Sequence, residues 1–330
     1  MLQLTLYTKK GCHLCEQVKE DLASLQAQYP HQLTEVDIEE NTDFNRLYAL
    51  EIPVLQIGPY TLKAPIQKTD LAITLAAAAH RKGQIESLDG KPKVSGESHL
   101  WGRADQIVYW IAQHYLKIIN LIVLVYVGLP FLAPVLMKAN LTLPARAIYN
   151  LYGVVCHQLA YRSFFFFGEQ FVYPRERAGL EGLKSYSQAT GLPEVNTAEA
   201  ILLARQFIGN EQVGYKVALC QRDVAIYLGI LVFGLIFSLN RNIRSLPWYV
   251  WILLGIVPIG LDGISQIISQ PPFNLIPFRE STPYLRVLTG FAFGFFTAWF
   301  GFPSVEESMA DTRKILYTKK LRLLQAQSEP

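Results

Sequence analysis

Two cysteines separated by two residues, Cys12 and Cys15, are the side chains of this sequence with the most clearly defined chemistry. Two thiols at this spacing form a disulfide with little chain movement when they lie at the start of a helix. The N-terminus of a helix also stabilises the thiolate of the first cysteine, because its free N–H groups and its dipole favour negative charge. The pattern therefore predicts thiol–disulfide chemistry at these two residues.

A zinc site is the alternative for this cysteine pair. It would need a second pair of cysteine or histidine ligands at the spacing of a zinc ribbon. The sequence offers no second pair at that spacing. Redox chemistry is therefore the preferred interpretation.

The residues around the cysteines predict a small α/β domain over residues 1–83. Residues 3–8 alternate between polar and apolar side chains, as in a strand, and the cysteine pair follows directly. Val18, Leu22 and Leu25 have helical spacing within 16–28. The remaining patterns predict strands at 33–38, 54–57 and 60–63 and helices at 43–50 and 69–81, in the order β-α-β-α-β-β-α.

This order, with Cys-x-x-Cys after the first strand and a proline just before the third, resembles the glutaredoxin-like branch of the thioredoxin fold. The resemblance implies that Cys12 attacks a substrate disulfide and that Cys15 is the resolving thiol. It also implies that Pro53 is a cis-proline that lies opposite the disulfide and shapes the substrate groove.

The sequence departs from glutaredoxins at two places. His13-Leu14 stands between the cysteines, where glutaredoxins commonly carry Pro-Tyr, and we interpret His13 as a residue of the substrate groove, with Pro53, that modulates the thiolate. For the Gly-Gly and Thr-Val-Pro elements that bind glutathione, the chain offers only Gly58-Pro59 and Glu51-Ile52-Pro53. Glutathione use therefore stays open.

The composition indicates that much of the remaining chain lies in a lipid bilayer. Of the 330 residues, 51% are hydrophobic and 17% are charged, which is too apolar for an ordinary soluble chain. The net charge of +3 is spread along the sequence and does not favour a nucleic-acid partner. The first residues do not resemble a signal peptide. We therefore expect the thiol domain to stay in the cytoplasm, with a dithiol or disulfide partner that the sequence does not identify.

We expect an all-α polytopic membrane helix bundle of about four spans after this thioredoxin-like domain. Residues 84–98 predict a polar linker, 99–117 an interfacial helix and 99–312 the whole membrane domain. A further apolar stretch, 148–167, contains polar side chains and is interpreted as interfacial or packed inside the bundle. The predicted spans are 118–138, 217–239, 247–268 and 285–303.

Basic residues predict the orientation of this membrane domain. The loop at 240–246 and the tail at 313–330 are rich in lysine and arginine, which prefer the cytoplasmic side. Four spans with both termini in the cytoplasm satisfy both segments. This topology places the outer segment 139–216 on the side opposite to Cys12 and Cys15, so the two cysteine pairs are not expected to exchange electrons directly.

Polar side chains in the membrane domain predict a second site. Asp262 and Gln266 share one helix face, and Asp262 is expected to pair with Arg222 or Arg286. In the last span, Gly290-x-x-x-Gly294 permits close helix contact. The complete predicted set is Cys156, His157, Cys220, Arg222, Asp223, Asp262, Gln266 and Arg286.

Three interpretations of the second cysteine pair stay open. Cys156, His157, Cys220 and Asp223 offer thiolate, imidazole and carboxylate ligands for a zinc-like metal ion. Cys156 and Cys220 could instead form a disulfide on an oxidising side of the membrane. The third interpretation is a polar network that fixes the helices, with both cysteines as small apolar groups.

These residues also carry a resemblance to a family of bacterial and archaeal membrane proteins of unknown function, domain of unknown function 2085. The shared order is Cys-His-Gln, Arg-Ser-Phe at 162–164, Cys-x-Arg, Asp-Gly-x-x-Gln, and then Ser281-Thr282 with Arg286 and Thr289-Gly290. Asp223 stands where family members often have a further cysteine. The family implies no biochemistry. The sequence thus favours a membrane-anchored thiol–disulfide oxidoreductase, with a metal-binding or transport protein serviced by its thiol domain as the alternative.

Overall fold

The computed structural model describes residues 1–40, 42–88, 101–270 and 272–328. Contacts divide the chain into two units, which are described separately. The first unit comprises Met1–Gln113 together with Glu307–Pro330, and the second comprises His114–Glu306. Most of the predicted linker, at 89–98, lies outside the described residues, whereas residues 84–88 continue a helix.

The first unit contains a four-stranded mixed sheet covered by helices, which confirms the thioredoxin-like order predicted from the sequence. The strand order is β2-β1-β3-β4, with β1 parallel to β2 and antiparallel to β3. The elements are β1 (Leu2–Thr8), α1 (His13–Leu25), β2 (His31–Asp37), α2 (Thr42–Tyr48), β3 (Val54–Ile57), β4 (Tyr60–Lys63) and α3 (Lys68–Leu88).

The core of this sheet explains why β1 is its central strand. Leu4 and Leu6 on β1 are fully buried and pack with Val18 and Leu22 of α1 and Leu75 of α3. These helix residues recur at the spacing of one helical face, so burying the stripe fixes both helices on the sheet. The sheet thereby holds the start of α1, and with it the cysteine pair, at the end of β1.

The last helix, α11 (Pro283–Ser328), contributes its C-terminal part to the first unit. Arg313 is buried, donates to both carboxylate oxygens of Asp43 and also donates to the Ala112 carbonyl at 2.7 Å. The ring of Tyr317 lies 5.6 Å from that of Phe44 on α2. The segment predicted as a basic tail is therefore a helix up to Ser328, and its side chains pack within this unit.

Four helices among the described residues are long and apolar enough to cross a membrane, which agrees with the predicted number of spans. The first is α4 (Arg103–Lys138), which runs without interruption past the predicted boundary at 117. The others are α8 (Gln221–Leu239), the helical segment Trp248–Ile268 and α11. Within Trp248–Ile268, α9 (Trp248–Trp251), a π-helical turn (Ile252–Ile256) and α10 (Val257–Ile268) follow one another.

The second unit is largely helical but also contains a small antiparallel sheet that the sequence analysis did not predict. The strands β5 (Ser163–Phe166), β6 (Gly209–Asn210) and β7 (Gly214–Cys220) lie in the order β5-β7-β6. The second span therefore begins at Gln221 and not at 217, because the preceding apolar residues form β7. The helices of this region are α5 (Thr142–Gly153), α6 (Tyr186–Thr190) and α7 (Ala198–Gln206).

Glycines allow α8 and α11 to pack backbone to backbone. A Cβ added at Gly294 would lie 1.9 Å from the Ile226 carbonyl oxygen, and one at Gly290 would lie 2.7 Å from the Arg222 carbonyl oxygen. On the facing helix, a Cβ at Gly229 would lie 2.5 Å from the Phe291 carbonyl oxygen. The close contact predicted from the Gly-x-x-x-Gly pattern is thus confirmed.

Candidate functional site

The thiol pair lies at the N-terminus of α1. Cys12 is the N-cap residue and forms a disulfide with Cys15, with 5.3 Å between their Cα atoms. The N–H groups of Cys15 and Glu16 donate to the Cys12 carbonyl at 3.0 and 3.2 Å, which closes the first turn. Cys15 is fully buried, whereas 9% of Cys12 stays exposed. The first sulfur is therefore more accessible from solution than the second.

A cavity of about 360 Å³ lies against the first turns of α1. Leu14, between the two cysteines, forms one wall, and Pro53, whose peptide bond with Ile52 is cis, forms another. Gln17, Asp21 and other polar side chains add hydrogen-bonding groups. His13 is exposed to solvent beside the disulfide. The cavity has the location expected of a groove for a substrate that reacts at Cys12.

The second cysteine pair lies in the second unit, between α5 and the start of α8. The sulfur atoms of Cys156 and Cys220 and a carboxylate oxygen of Asp223 all lie within 4.8 Å of one another. Both cysteines are free thiols. His157, which the sequence analysis included as a fourth ligand, is exposed and lies outside this three-residue group.

Local structure brings the three side chains together. Cys156 follows the C-terminus of α5, Cys220 ends β7 and is the N-cap of α8, and Asp223 lies in the first turn of α8. The hydrogen bond between the thiols lowers the pKa of Cys156, toward whose sulfur the Gln158 N–H also points, at 3.4 Å. The same thiol–thiol hydrogen bond, together with burial, raises the pKa of Cys220. Cys156 is therefore the thiol that ionises first.

A buried lysine lies close to this group and was not predicted as a site residue. Lys216 on β7 is 1% exposed, and its Nζ donates to the carbonyls of Gln158 at 2.8 Å and Arg205 at 2.6 Å. Burial lowers its pKa to about 7. The amine thus ties the segment after α5 to the C-terminal end of α7 through their carbonyl groups.

Asp262 lies at the centre of a polar cluster on α10. Arg222 and Arg279 both form ion pairs with its carboxylate, the latter at 3.1 Å, and Ser281 donates to it at 2.8 Å. Gln266, one helical turn further along, donates to the Asp262 carbonyl at 2.8 Å. Of the two arginines proposed from the sequence, Arg222 is therefore the partner of Asp262.

Arg286 pairs instead with Glu280, a buried carboxylate that the sequence analysis did not select. Arg286 lies at 2.5 Å, Arg162 at 3.1 Å and Arg175 at 3.4 Å from the Glu280 carboxylate oxygens. Burial raises the pKa of Glu280, but the three guanidinium groups outweigh this effect and hold the pKa below its usual range. Arg175 also donates to Tyr161 and Asn196, each at 2.7 Å.

Sequence reasoning missed Arg175, Arg279, Glu280 and Lys216 because their partners lie on other elements, and the packing of those elements decides which side chains meet. Arg175 and Glu280, for example, are 105 residues apart. The available signal was the charged pair Arg279-Glu280 directly before the last span, since charged groups in such a place are usually paired.

Comparisons with known proteins agree with this division of the chain. Residues 3–76 match the family described as a glutaredoxin-like domain (DUF836), and residues 207–300 match the family described as a predicted membrane protein (DUF2085). The chain is 24% identical over 160 residues to an uncharacterized protein of Methanocaldococcus jannaschii. The aligned region covers 47% of this chain and 67% of that protein. No solved structure matches the chain. Both resemblances inferred from the sequence are thereby confirmed.

Proposed function

We propose that this chain, which joins a glutaredoxin-like domain to a multi-span membrane domain, is a membrane-anchored thiol–disulfide oxidoreductase. The observation that carries the proposal is the Cys12–Cys15 pair at the N-terminus of α1, beside the cavity walled by Leu14 and Pro53. A thiolate at this position is stabilised by the N–H groups of the first helical turn.

In the reduced domain, the Cys12 thiolate attacks one sulfur of a substrate disulfide. This step forms a mixed disulfide between Cys12 and that sulfur and releases the other substrate sulfur as a thiolate, which takes up a proton. The Cys15 thiol then loses its proton and attacks the Cys12 sulfur, which releases the second substrate thiol and forms the Cys12–Cys15 disulfide. Two electrons have passed to the substrate, and an external dithiol must return two to the domain.

Disulfide exchange by the purified full chain in detergent tests the proposal. With a fluorescent disulfide reporter and a dithiol donor, we expect Cys12→Ser to abolish reduction. Cys15→Ser should accumulate the mixed disulfide, visible as an added mass on the intact protein. The matched control is Cys156→Ser combined with Cys220→Ser, which should keep the wild-type rate. Equal rates for wild type and Cys12→Ser would refute the proposal.

We also propose that both termini lie on the cytoplasmic side. Four spans return the chain to the side from which it started, and the basic loop at 240–246 lies between the second and third spans. Reporter fusions at residue 1, within 180–184 and at residue 330 test this orientation. Both terminal reporters should be active in the cytoplasm, and the internal one should not.

A second candidate function is metal binding at Cys156, Cys220 and Asp223. Two sulfur ligands and one carboxylate within 4.8 Å of one another fit a zinc-like ion, and three protein ligands leave one coordination position for water or a substrate. The thiols must be deprotonated to bind, and Cys156 is the more acidic of the two.

Elemental analysis of the purified full chain distinguishes this candidate from a purely structural role. Metal that is stoichiometric in wild type should fall to background in Cys156→Ser and in Asp223→Asn. His157→Ala is the matched control and should retain the metal, because His157 is exposed outside the group. Loss of metal in His157→Ala, or its absence from wild type, would contradict the three-ligand site.

A further inference from the structure

A cavity of about 510 Å³ lies between α10 and the start of α11, both parts of candidate spans. Its walls include Leu261 and Leu288, which are 65% and 67% exposed and lie on the outer faces of their helices. Its lining is mostly apolar, with polar side chains at Asp262, Ser265, Arg279 and Thr289. The cavity is thus amphipathic and lies on candidate spans, where we expect lipid chains to surround the protein.

Arg279 is the cation that lines this cavity. It donates to the Ser265 hydroxyl, to the Asp262 carbonyl at 3.4 Å and to the Asp262 carboxylate at 3.1 Å. A guanidinium group has five N–H donors, so these three contacts leave donors for a ligand. The Arg279 side chain is 36% exposed, whereas the side chains of Arg222 and Asp262, which share these ion pairs, are 24% and 2% exposed. The accessible charge at the cavity is therefore positive.

The ion pairs of Asp262, which lines the cavity, and of Glu280, which follows Arg279 in the chain, carry an excess of positive charge. Asp262 is paired with two arginines and Glu280 with three, so five guanidinium groups meet two carboxylates in these pairs. The Asp262 carboxylate, although it lines the cavity, already accepts from Arg222, Arg279 and Ser281. An anion near this cluster offsets the repulsion among the guanidinium groups.

We propose that this cavity binds an anionic phospholipid. The phosphate oxygens accept from the N–H groups of Arg279 that its contacts with Ser265 and Asp262 leave free, because a guanidinium group forms paired hydrogen bonds with phosphate oxygens. The first part of an acyl chain lies along Leu261 and Leu288. This inference concerns only the second unit and does not depend on the activity of Cys12 and Cys15.

Lipid binding to the purified full chain tests the proposal by native mass spectrometry in nonionic detergent. Phosphatidylglycerol should bind more tightly than phosphatidylcholine. Arg279→Gln should weaken phosphatidylglycerol binding about tenfold or more, since a hydrogen bond to a charged group is lost. Arg244→Gln is the matched control, because Arg244 is an exposed arginine in the loop between α8 and α9, and it should bind like wild type.

A second variant keeps the test decisive if Arg279→Gln fails to fold. Leu288→Trp narrows the apolar part of the cavity without changing charge, and it should also abolish phosphatidylglycerol binding. Inorganic phosphate serves as the probe for headgroup binding alone. If phosphate binds as tightly as the lipid and Leu288→Trp has no effect, the site binds a free anion and the lipid proposal is wrong. Equal binding of phosphatidylcholine and phosphatidylglycerol overturns it as well.

Discussion

The contact between α8 and α11 can be tested by adding a single methyl group. In Gly294→Ala, the new Cβ would lie 1.9 Å from the carbonyl oxygen of Ile226 and 2.7 Å from its carbonyl carbon. Both obstacles belong to the backbone of α8 and cannot rotate away. The two helices must therefore separate by about 1 Å or more to reach an ordinary carbon–oxygen distance, since close-packed interiors do not tolerate such overlap.

The free-energy cost of this separation can be measured against the same substitution at Gly301, a glycine of α11 with free space around it. Overpacking by one methyl group typically costs about 1–3 kcal/mol. Nothing lies within 4 Å of a Cβ added at Gly301, so Gly301→Ala should instead gain about 0.5–1 kcal/mol from the better helix propensity of alanine. The free energies of unfolding of the two variants should therefore differ by about 2 kcal/mol or more.

Thermal unfolding of the full chain in detergent measures this difference. For units of about 150–250 residues, 1 kcal/mol corresponds to about 2–4 °C, so the two Tm values should differ by about 4 °C or more. Gly294→Ala should unfold at a lower temperature than wild type, and Gly301→Ala at the same or a higher one. If both variants match, α8 and α11 do not touch at Gly294, and the backbone contact between these helices is wrong.

Two further predictions concern the charged groups. Arg313→Met should destabilise the first unit by about 3 kcal/mol because it leaves the Asp43 carboxylate without its buried partner. The rate of amide hydrogen exchange in α2 should therefore rise. The matched control Lys320→Met, at an exposed lysine, should leave this rate unchanged. Because folding lowers the pKa of Glu280, its ionised carboxylate stabilises the fold at pH values above 4.5, the ordinary pKa of a glutamate. This stabilisation is lost as the pH falls through the lower pKa of the folded state. Between about pH 6 and about pH 3, the Tm of wild type should therefore fall more than that of Glu280→Gln, and equal slopes would contradict the ion-pair assignment.

The glutaredoxin-like domain could be predicted closely because its signals are local. Strand alternation, the helical spacing of Val18, Leu22 and Leu25, and the cysteine pair all lie within a few residues of one another. The apolar residues that form these patterns are the ones that become buried, since Val18, Leu22 and Leu25 pack in one core with residues of β1. The main difference is the end of α3, which continues to Leu88 because the residues after 81 contain no helix-breaking proline.

The sheet of the second unit could not be predicted because its strand β7 joins a membrane span directly. Val217, Ala218 and Leu219 are fully buried in β7, so they carry the same apolar signal as the residues of α8. Apolar runs do not distinguish a buried strand from a helix. The strand is recognised through its pairing with β5, which depends on contacts between distant residues, since its hairpin with the two-residue β6 is too short to give a clear pattern.

Several residues of the second site could be predicted from the sequence, but their pairing could not. Asp262, Gln266 and Arg222 stood out because polar groups in apolar helices are conspicuous in any sequence. Which arginine meets which carboxylate depends on how the helices pack, and Arg286, a predicted partner of Asp262, pairs with Glu280 instead. His157 adjoins Cys156 in sequence, yet the turn after α5 leaves it exposed and outside the group of possible ligands.

The discontinuous make-up of the first unit has a consequence for synthesis of the protein. A ribosome completes residues 1–113 early, but it makes 307–328, which belong to the same unit, only after all of His114–Glu306. Until then, Phe44 and Tyr48 on α2 lack the ring of Tyr317 and the ammonium group of Lys314. A nascent or prematurely terminated polypeptide thus presents an uncovered aromatic surface to chaperones and proteases, and translation of the final helix hides it.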